Sequence, residues 1–112
     1  MTRPELLKLH EELCNEARKL MEQKNHDYAG GPKTTTPFLN FQRVEAMGIM
    51  STELGFLVRM TDKMSRLTTF CQEGTFEVQD ESLRDTILDV INYGVLLYGY
   101  ILSKSVEEQR GN

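Results

Sequence analysis

The chain has 112 residues, with 13 Lys and Arg against 17 Asp and Glu, a formal net charge of −4, and 39% hydrophobic against 27% charged residues. This length fits one domain with one core, and the balance excludes both a disordered chain and a membrane protein. The acidic excess argues against broad nucleic-acid binding driven by phosphate neutralisation, but net charge averages over the surface and leaves room for a small basic pocket.

The N-terminus, Met1-Thr2-Arg3-Pro4-Glu5, lacks the apolar run of a signal peptide. Thr2 and Glu5 have capping-box spacing, with Pro4 in the first turn. Leu6, Leu9, Leu13, Ala17, Leu20 and Met21 then recur at three- and four-residue steps, which predicts an amphipathic helix ending near Gln23 or Lys24. His10 shares that spacing and reads as a partly buried face residue rather than a catalyst. Residues 25–37 (Asn-His-Asp-Tyr-Ala-Gly-Gly-Pro-Lys-Thr-Thr-Thr-Pro) show no hydrophobic period and read as a long loop. Loops of that length in small domains are often functional.

A second helix is expected from Pro37 to Met47, with Phe38, Phe41 and Val44 on one side and Gly48 ending it. Ser51 or Thr52 caps a third, with Glu53 in its first turn, where the helix dipole favours an acid. Its apolar seam reads Leu57, Met60, Met64, Leu67 and Cys71, and Gly74 stops it. Phe76-Glu77-Val78 alternates like a short extended piece. Asp80 caps a fourth helix, Glu81 to about Lys104, and the polar tail from Ser105 frays. The fold class is therefore all-α: one domain over residues 1–112, with four helices in a bundle.

The fourth helix is apolar around nearly its whole circumference, from Leu83 through Ile87, Leu88, Ile91, Val95 and Tyr98 to Leu102. Such a helix must be buried all round. Three partners, one of them short, do not wrap it, so part of it is expected to pack on a second copy, as a homodimer or higher homo-oligomer. Ile87 to Leu102 carries Asp89, Asn92 and two glycines and reads as too short and too polar to span a bilayer. Cys14 and Cys71 are far apart, which suits buried thiols in a reduced, cytoplasmic setting. His10 and His26 have no zinc-ligand spacing.

Two charged stripes carry the functional reading. Arg59, Asp62, Lys63 and Arg66 share a face of the third helix, and Glu81, Asp85, Asp89 and Asn92 share a face of the fourth. Acids turned inward need positive charge opposite. Arg59, Lys63 and Arg66 can supply it, so no metal is required for neutrality. A divalent cation such as magnesium on Asp62, Glu81, Asp85 and Asp89 is the alternative. The plain structural alternative is an inter-helix ion-pair network. At the loop, Lys24, Asp27 and Tyr28 precede Gly30-Gly31, whose backbone N–H groups could cradle an anion with Lys33 and Thr34 to Thr36. Phe38, Asn40 and Phe41 dock the second helix on the core, or stack on a base where exposed.

The motifs Lys24-x-x-Asp27-Tyr28, Pro37-Phe38-x-Asn40-Phe41, Arg59-x-x-Asp62-Lys63-x-x-Arg66 and Glu81-x-x-x-Asp85-x-x-x-Asp89-x-x-Asn92-Tyr93 occur in that order. The string resembles small phage and prophage proteins of the nucleotide modification associated domain type, over residues 24–100. The resemblance implies a phage-encoded protein connected with nucleotides, in the cytoplasm of the infected host. A looser similarity is to the all-α NTP pyrophosphohydrolases, the MazG-like and dimeric dUTPase group. These are helical oligomers that bind magnesium through an E-x-x-E pair on one helix and an E-x-x-D pair on the next. Here Glu81, Asp85 and Asp89 could serve as the second pair with one residue more between the acids. The first pair is absent, because Asp62 is followed by Lys63.

These observations favour a module that binds a nucleotide, cyclic nucleotide or other phosphorylated ligand through Lys24, Asp27, Tyr28, Asn40, Arg59, Lys63, Arg66 and Asn92. In a phage it could sequester a host nucleotide signal and so act against defence. The alternatives are a magnesium-dependent nucleotide pyrophosphohydrolase and a helical interaction protein without a ligand.

Overall fold

The computed structural model describes residues 1–28, 37–73 and 81–110, with side chains at 25–28, 81 and 108–110 outside the description. The regular elements among the described residues are all helices: α1 (Arg3–Tyr28), α2 (Leu39–Ala46), α3 (Thr52–Glu73) and α4 (Glu81–Arg110). α4 packs on both α1 and α3, and α2 packs on α3.

The helix starts follow the local sequence. The Thr2 N–H donates to Glu5 Oε2 at 2.9 Å and the Glu5 N–H to Thr2 Oγ1 at 3.3 Å, a reciprocal capping box. Ser51 caps α3 by accepting from the Leu54 N–H at 3.2 Å. α2 closes in a Schellman motif: the Gly48 N–H reaches Glu45 O and the Ile49 N–H reaches Val44 O, at 3.0 and 2.9 Å. Gly48 supplies the φ of +76° that this turn requires.

Two helices run further than their sequences suggest. α1 continues through Asn25, His26, Asp27 and Tyr28, so the first four residues of the expected loop are helical. Polar residues do not stop a helix without a breaker, and the first breaker pair is Gly30-Gly31. α4 continues past Lys104 to Arg110 because Val106 extends the Leu102 face and nothing between breaks it. Ser82–Glu107, at 26 residues, is long and apolar enough by length and composition to cross a membrane, a test that the core helix of a water-soluble bundle also passes. Gly30-Gly31, Lys33, Thr34 to Thr36, Gly74, Phe76 to Val78 and Asp80 lie outside the described residues.

The core forms where α2, α3 and α4 meet. Phe41, Phe56 and Tyr100 are buried there, with Phe38, Tyr93, Leu96 and Leu97 packed against them. The Phe41 and Phe56 rings stack with centroids 4.2 Å apart, and Tyr100 meets the edge of Phe38 at 5.5 Å. Gly55 permits this closeness. A Cβ there would stand 2.8 Å from Val44 Cγ2, so a side chain at residue 55 would force Val44 to shift where α2 lies on α3. Beside it, buried Thr52 donates to Glu45 Oε2 at 3.1 Å.

The inward face of α3 is Thr52, Gly55, Phe56, Met60, Lys63, Leu67 and Phe70, rotated from the expected seam. Leu57, Met64 and Cys71 are exposed as a result. The small residues that let α2 approach set the phase of the helix. Cys71 is thus not a buried thiol, and Cys14 is half-buried. His10 is exposed, its ring nitrogens 3.9 Å from Cys14 Sγ.

α1 is tied to α4 by polar contacts. Asn92 Nδ2 donates to the Ala17 carbonyl at 2.9 Å, with both residues buried. Arg84 pairs with Glu16. At the other end of the bundle, Lys104 on α4 pairs with Glu53 on α3 at 3.3 Å.

Candidate ligand-binding site

A cavity of about 280 Å³ opens where α1, α2, α3 and α4 converge. Its polar lining is Lys24 from α1, Asn40 from α2, Arg59 and Lys63 from α3, and Asp89 and Asn92 from α4. The apolar walls are Met21, Phe41, Tyr93 and Leu96. The volume lies at the lower edge of the ~300–1,000 Å³ usual for small-molecule sites.

Asp89 is the electrostatic centre. Its Oδ1 accepts from Lys24 Nζ at 2.9 Å and its Oδ2 pairs with Lys63 Nζ at 3.0 Å. The side chains of Asp89 and Lys63 are 18% and 16% exposed, and that of Lys24 is 44% exposed. Burial alone would push the Asp89 carboxyl up. The hydrogen bonds and charges of Lys24 and Lys63 outweigh it and hold the group below its ordinary value. Lys63 reaches this position from the inward face of α3.

Arg59 is placed differently. Its guanidinium lies 4.7 Å from the centroid of the Phe41 ring, a cation–π arrangement. It is exposed and forms no ion pair with a carboxylate among the described residues. Among the described residues the cavity lining carries three cations, Lys24, Arg59 and Lys63, against the one carboxylate of Asp89. That is a local positive excess inside a chain of net charge −4.

Six sequence-derived candidates therefore share one cavity: Lys24, Asn40, Arg59, Lys63, Asp89 and Asn92. Part of Asn92 is already committed, since its Nδ2 is bonded to Ala17. Arg66 and Asp62 do not line the cavity. They are exposed and face each other along α3 at 3.8 Å. Asp85 is exposed on α4 and also lies outside the lining. The side chains of Asp27, Tyr28 and Glu81 are outside the described residues. Sequence reasoning read Met21 and Leu96 as apolar helix positions and Phe41 as docking on the core or stacking on a base, gave Tyr93 only within the motif string, and assigned none of the four to a cavity wall. Their helical spacing carries no signal that separates a core position from a cavity wall.

The acids of the expected magnesium set are placed as follows. Both oxygens of Asp89 are taken by ammonium groups, Asp62 turns to Arg66, and Asp85 stands apart. No group of three or more His, Cys, Asp or Glu able to hold a metal ion forms among the described residues. Asp62, Asp85 and Asp89 form no such group, and the side chain of Glu81 lies outside the description. The basic groups and the two asparagines fit an anionic ligand with hydrogen-bonding edges.

Fold and site together define an all-α chain with a small cationic cavity between its helices. No family model matches the chain, and no curated protein or solved structure does so either.

Proposed function

We propose that the protein binds a nucleotide, linear or cyclic, or another phosphorylated small molecule, in the cavity between α1, α2, α3 and α4. The observation that carries this reading is Arg59, held over Phe41 beside Lys63 and Lys24, with no carboxylate partner among the described residues. A guanidinium fixed on an aromatic ring presents a planar donor fork to phosphate oxygens. Lys63 and Lys24 supply further positive charge, and Asn40 supplies a polar edge. The commitment of Asp89 to two lysines favours a site that holds its ligand over one that cleaves it.

The motif string from Lys24 to Tyr93 resembles phage proteins associated with nucleotides. On that basis we read the protein as a phage or prophage product that sequesters a host nucleotide signal in the cytoplasm, an anti-defence role. Calorimetry with a panel of linear and cyclic nucleotides tests the binding. The expected result is saturable binding of at least one, lost in Arg59→Ala, with the ligand recovered intact by chromatography after incubation with magnesium. Binding by none of the panel refutes the proposal. Pyrophosphate release would favour the hydrolase.

A further inference from the structure

We propose that Asn92 accepts a hydrogen bond from a sugar hydroxyl of the ligand, so that the site selects phosphorylated sugars, ribonucleotides among them, over phosphates that lack the hydroxyl. The selection rests on the phosphate-binding reading above and adds a second requirement to the ligand. Asn92 is 8% exposed and lines the cavity between the helices. Chemistry fixes the orientation of its amide. A backbone carbonyl can only accept, so the atom 2.9 Å from the Ala17 oxygen is the nitrogen, and Oδ1 points away from that bond. Oδ1 accepts no hydrogen bond among the described residues, yet none of their buried side-chain oxygens or nitrogens lacks a partner. It is therefore not sealed off, and the open space that Asn92 borders is the cavity.

The charged groups around it do not offer what this oxygen needs to be satisfied by a phosphate. Lys24, Arg59 and Lys63 only donate, and both oxygens of Asp89 are held by ammonium groups. A phosphate brings acceptors to those cations but no donor to Asn92. A ligand that closes over Oδ1 without an N–H or O–H leaves a buried acceptor unpaired, and sites of that kind reject the analogue that lacks the donor. Position decides which donor fits. Asn92 follows Asp89 by three residues on one face of α4, about 4.5 Å further along the helix. Asp89 in turn holds Lys24 and Lys63, the two ammonium groups beside it. The donor on the ligand thus lies within one helical turn of the groups that take its phosphate. In a nucleotide the sugar hydroxyls stand that near the phosphate, whereas the edge of the base lies beyond the sugar.

Calorimetry with two matched pairs of probes tests the selection. One pair is ribose-5-phosphate and tetrahydrofurfuryl phosphate, the same ring without hydroxyls. The other is adenosine monophosphate and its dideoxy analogue. In each pair the hydroxyl-bearing member should bind wild-type protein at least about tenfold more tightly. In Asn92→Ala the gap should shrink to about twofold, the margin within which independent changes add. Equal binding within both pairs overturns this proposal and leaves phosphate binding standing. Binding of no probe and of no other nucleotide refutes the phosphate site itself, and the selection with it. A gap that persists in a folded Asn92→Ala assigns the hydroxyl to another residue and overturns the role of Asn92. Should that variant fail to fold, the two pairs on wild-type protein still decide whether the hydroxyl is selected. Loss of affinity on methylating the amino group of the base, with none on removing the hydroxyls, would set Asn92 against the base and also overturn the proposal.

Discussion

Replacing Asp89 with Asn should move stability and ligand affinity in opposite directions. The carboxylate holds Lys24 at 2.9 Å and Lys63 at 3.0 Å. Breaking a fully buried pair costs about 3–5 kcal/mol, and breaking an exposed one costs about 0–1 kcal/mol. With Lys63 and Asp89 at 16% and 18% exposure, the Lys63 contact lies toward the buried limit, and Lys24 at 44% toward the other. An Asn still accepts one hydrogen bond, so the net loss comes to about 2 kcal/mol. In a domain of this size that lowers Tm by about 8 °C. The pH dependence follows from the depressed carboxyl. Its stabilisation is fully present above the unfolded value of about 3.9 and is lost as pH falls through the folded value, because the unfolded chain takes up the proton first. Thermal melts at pH 7 should therefore separate wild type from Asp89→Asn, and melts below the folded value should converge. Meanwhile the ligand no longer has to displace a resident anion. Charge-assisted hydrogen bonds are worth about 1.5–3 kcal/mol, so affinity for the best-binding nucleotide should rise about tenfold or more. Equal Tm at pH 7, or a gap that persists unchanged in acid, would refute the ion-pair reasoning. Weaker binding by the variant would refute the competition between Asp89 and the ligand.

Other substitutions probe other parts of the argument. Arg59→Ala should weaken nucleotide binding at least about tenfold, yet cost no more than about 1 kcal/mol in stability, the worth of an exposed cation–π contact; Arg59→Lys should restore only part of the binding, because an ammonium lacks the planar fork. Gly55→Ala should destabilise the fold, since overpacking of about 1–3 kcal/mol exceeds the helix-propensity gain of up to about 1 kcal/mol. Adding Val44→Ala removes the atom that the new Cβ would meet at 2.8 Å and should recover much of the loss in a denaturant titration. Asn92→Ala should cost about 1–3 kcal/mol by stripping the donor from a buried carbonyl, read as faster hydrogen exchange in α1.

The sequence made the helices easier to read than their faces. The Thr2–Glu5 box, Ser51 and Gly48 are local signals, and each does its expected job because capping depends on neighbours within four residues. The phase of α3 was not legible. Periodicity ranks apolar residues, so it chose Leu57, Met64 and Cys71. The packing instead follows Gly55 and Thr52, whose small size lets α2 come close. A lysine on the inward face, Lys63, looks wrong to the same rule until Asp89 is seen opposite. The charged stripes were visible as stripes, but sequence spacing could not tell that Arg59 and Lys63 turn into the cavity while Asp62 and Arg66 pair outside it.

The bond from Asn92 to Ala17 has an uneven consequence for the two helices it joins. The donor is a side chain and the acceptor is a backbone carbonyl. Any residue at position 17 presents that carbonyl, provided it is small enough to leave the site 1% exposed as Ala17 does. Position 92 has no such freedom, because only a short amide reaches across from α4. Small residues at position 17 should therefore be tolerated while the alignment of α1 on α4 persists, and one change at position 92 would release this tie. A library at position 17 restricted to small residues should stay folded more often than one randomised at Asn92.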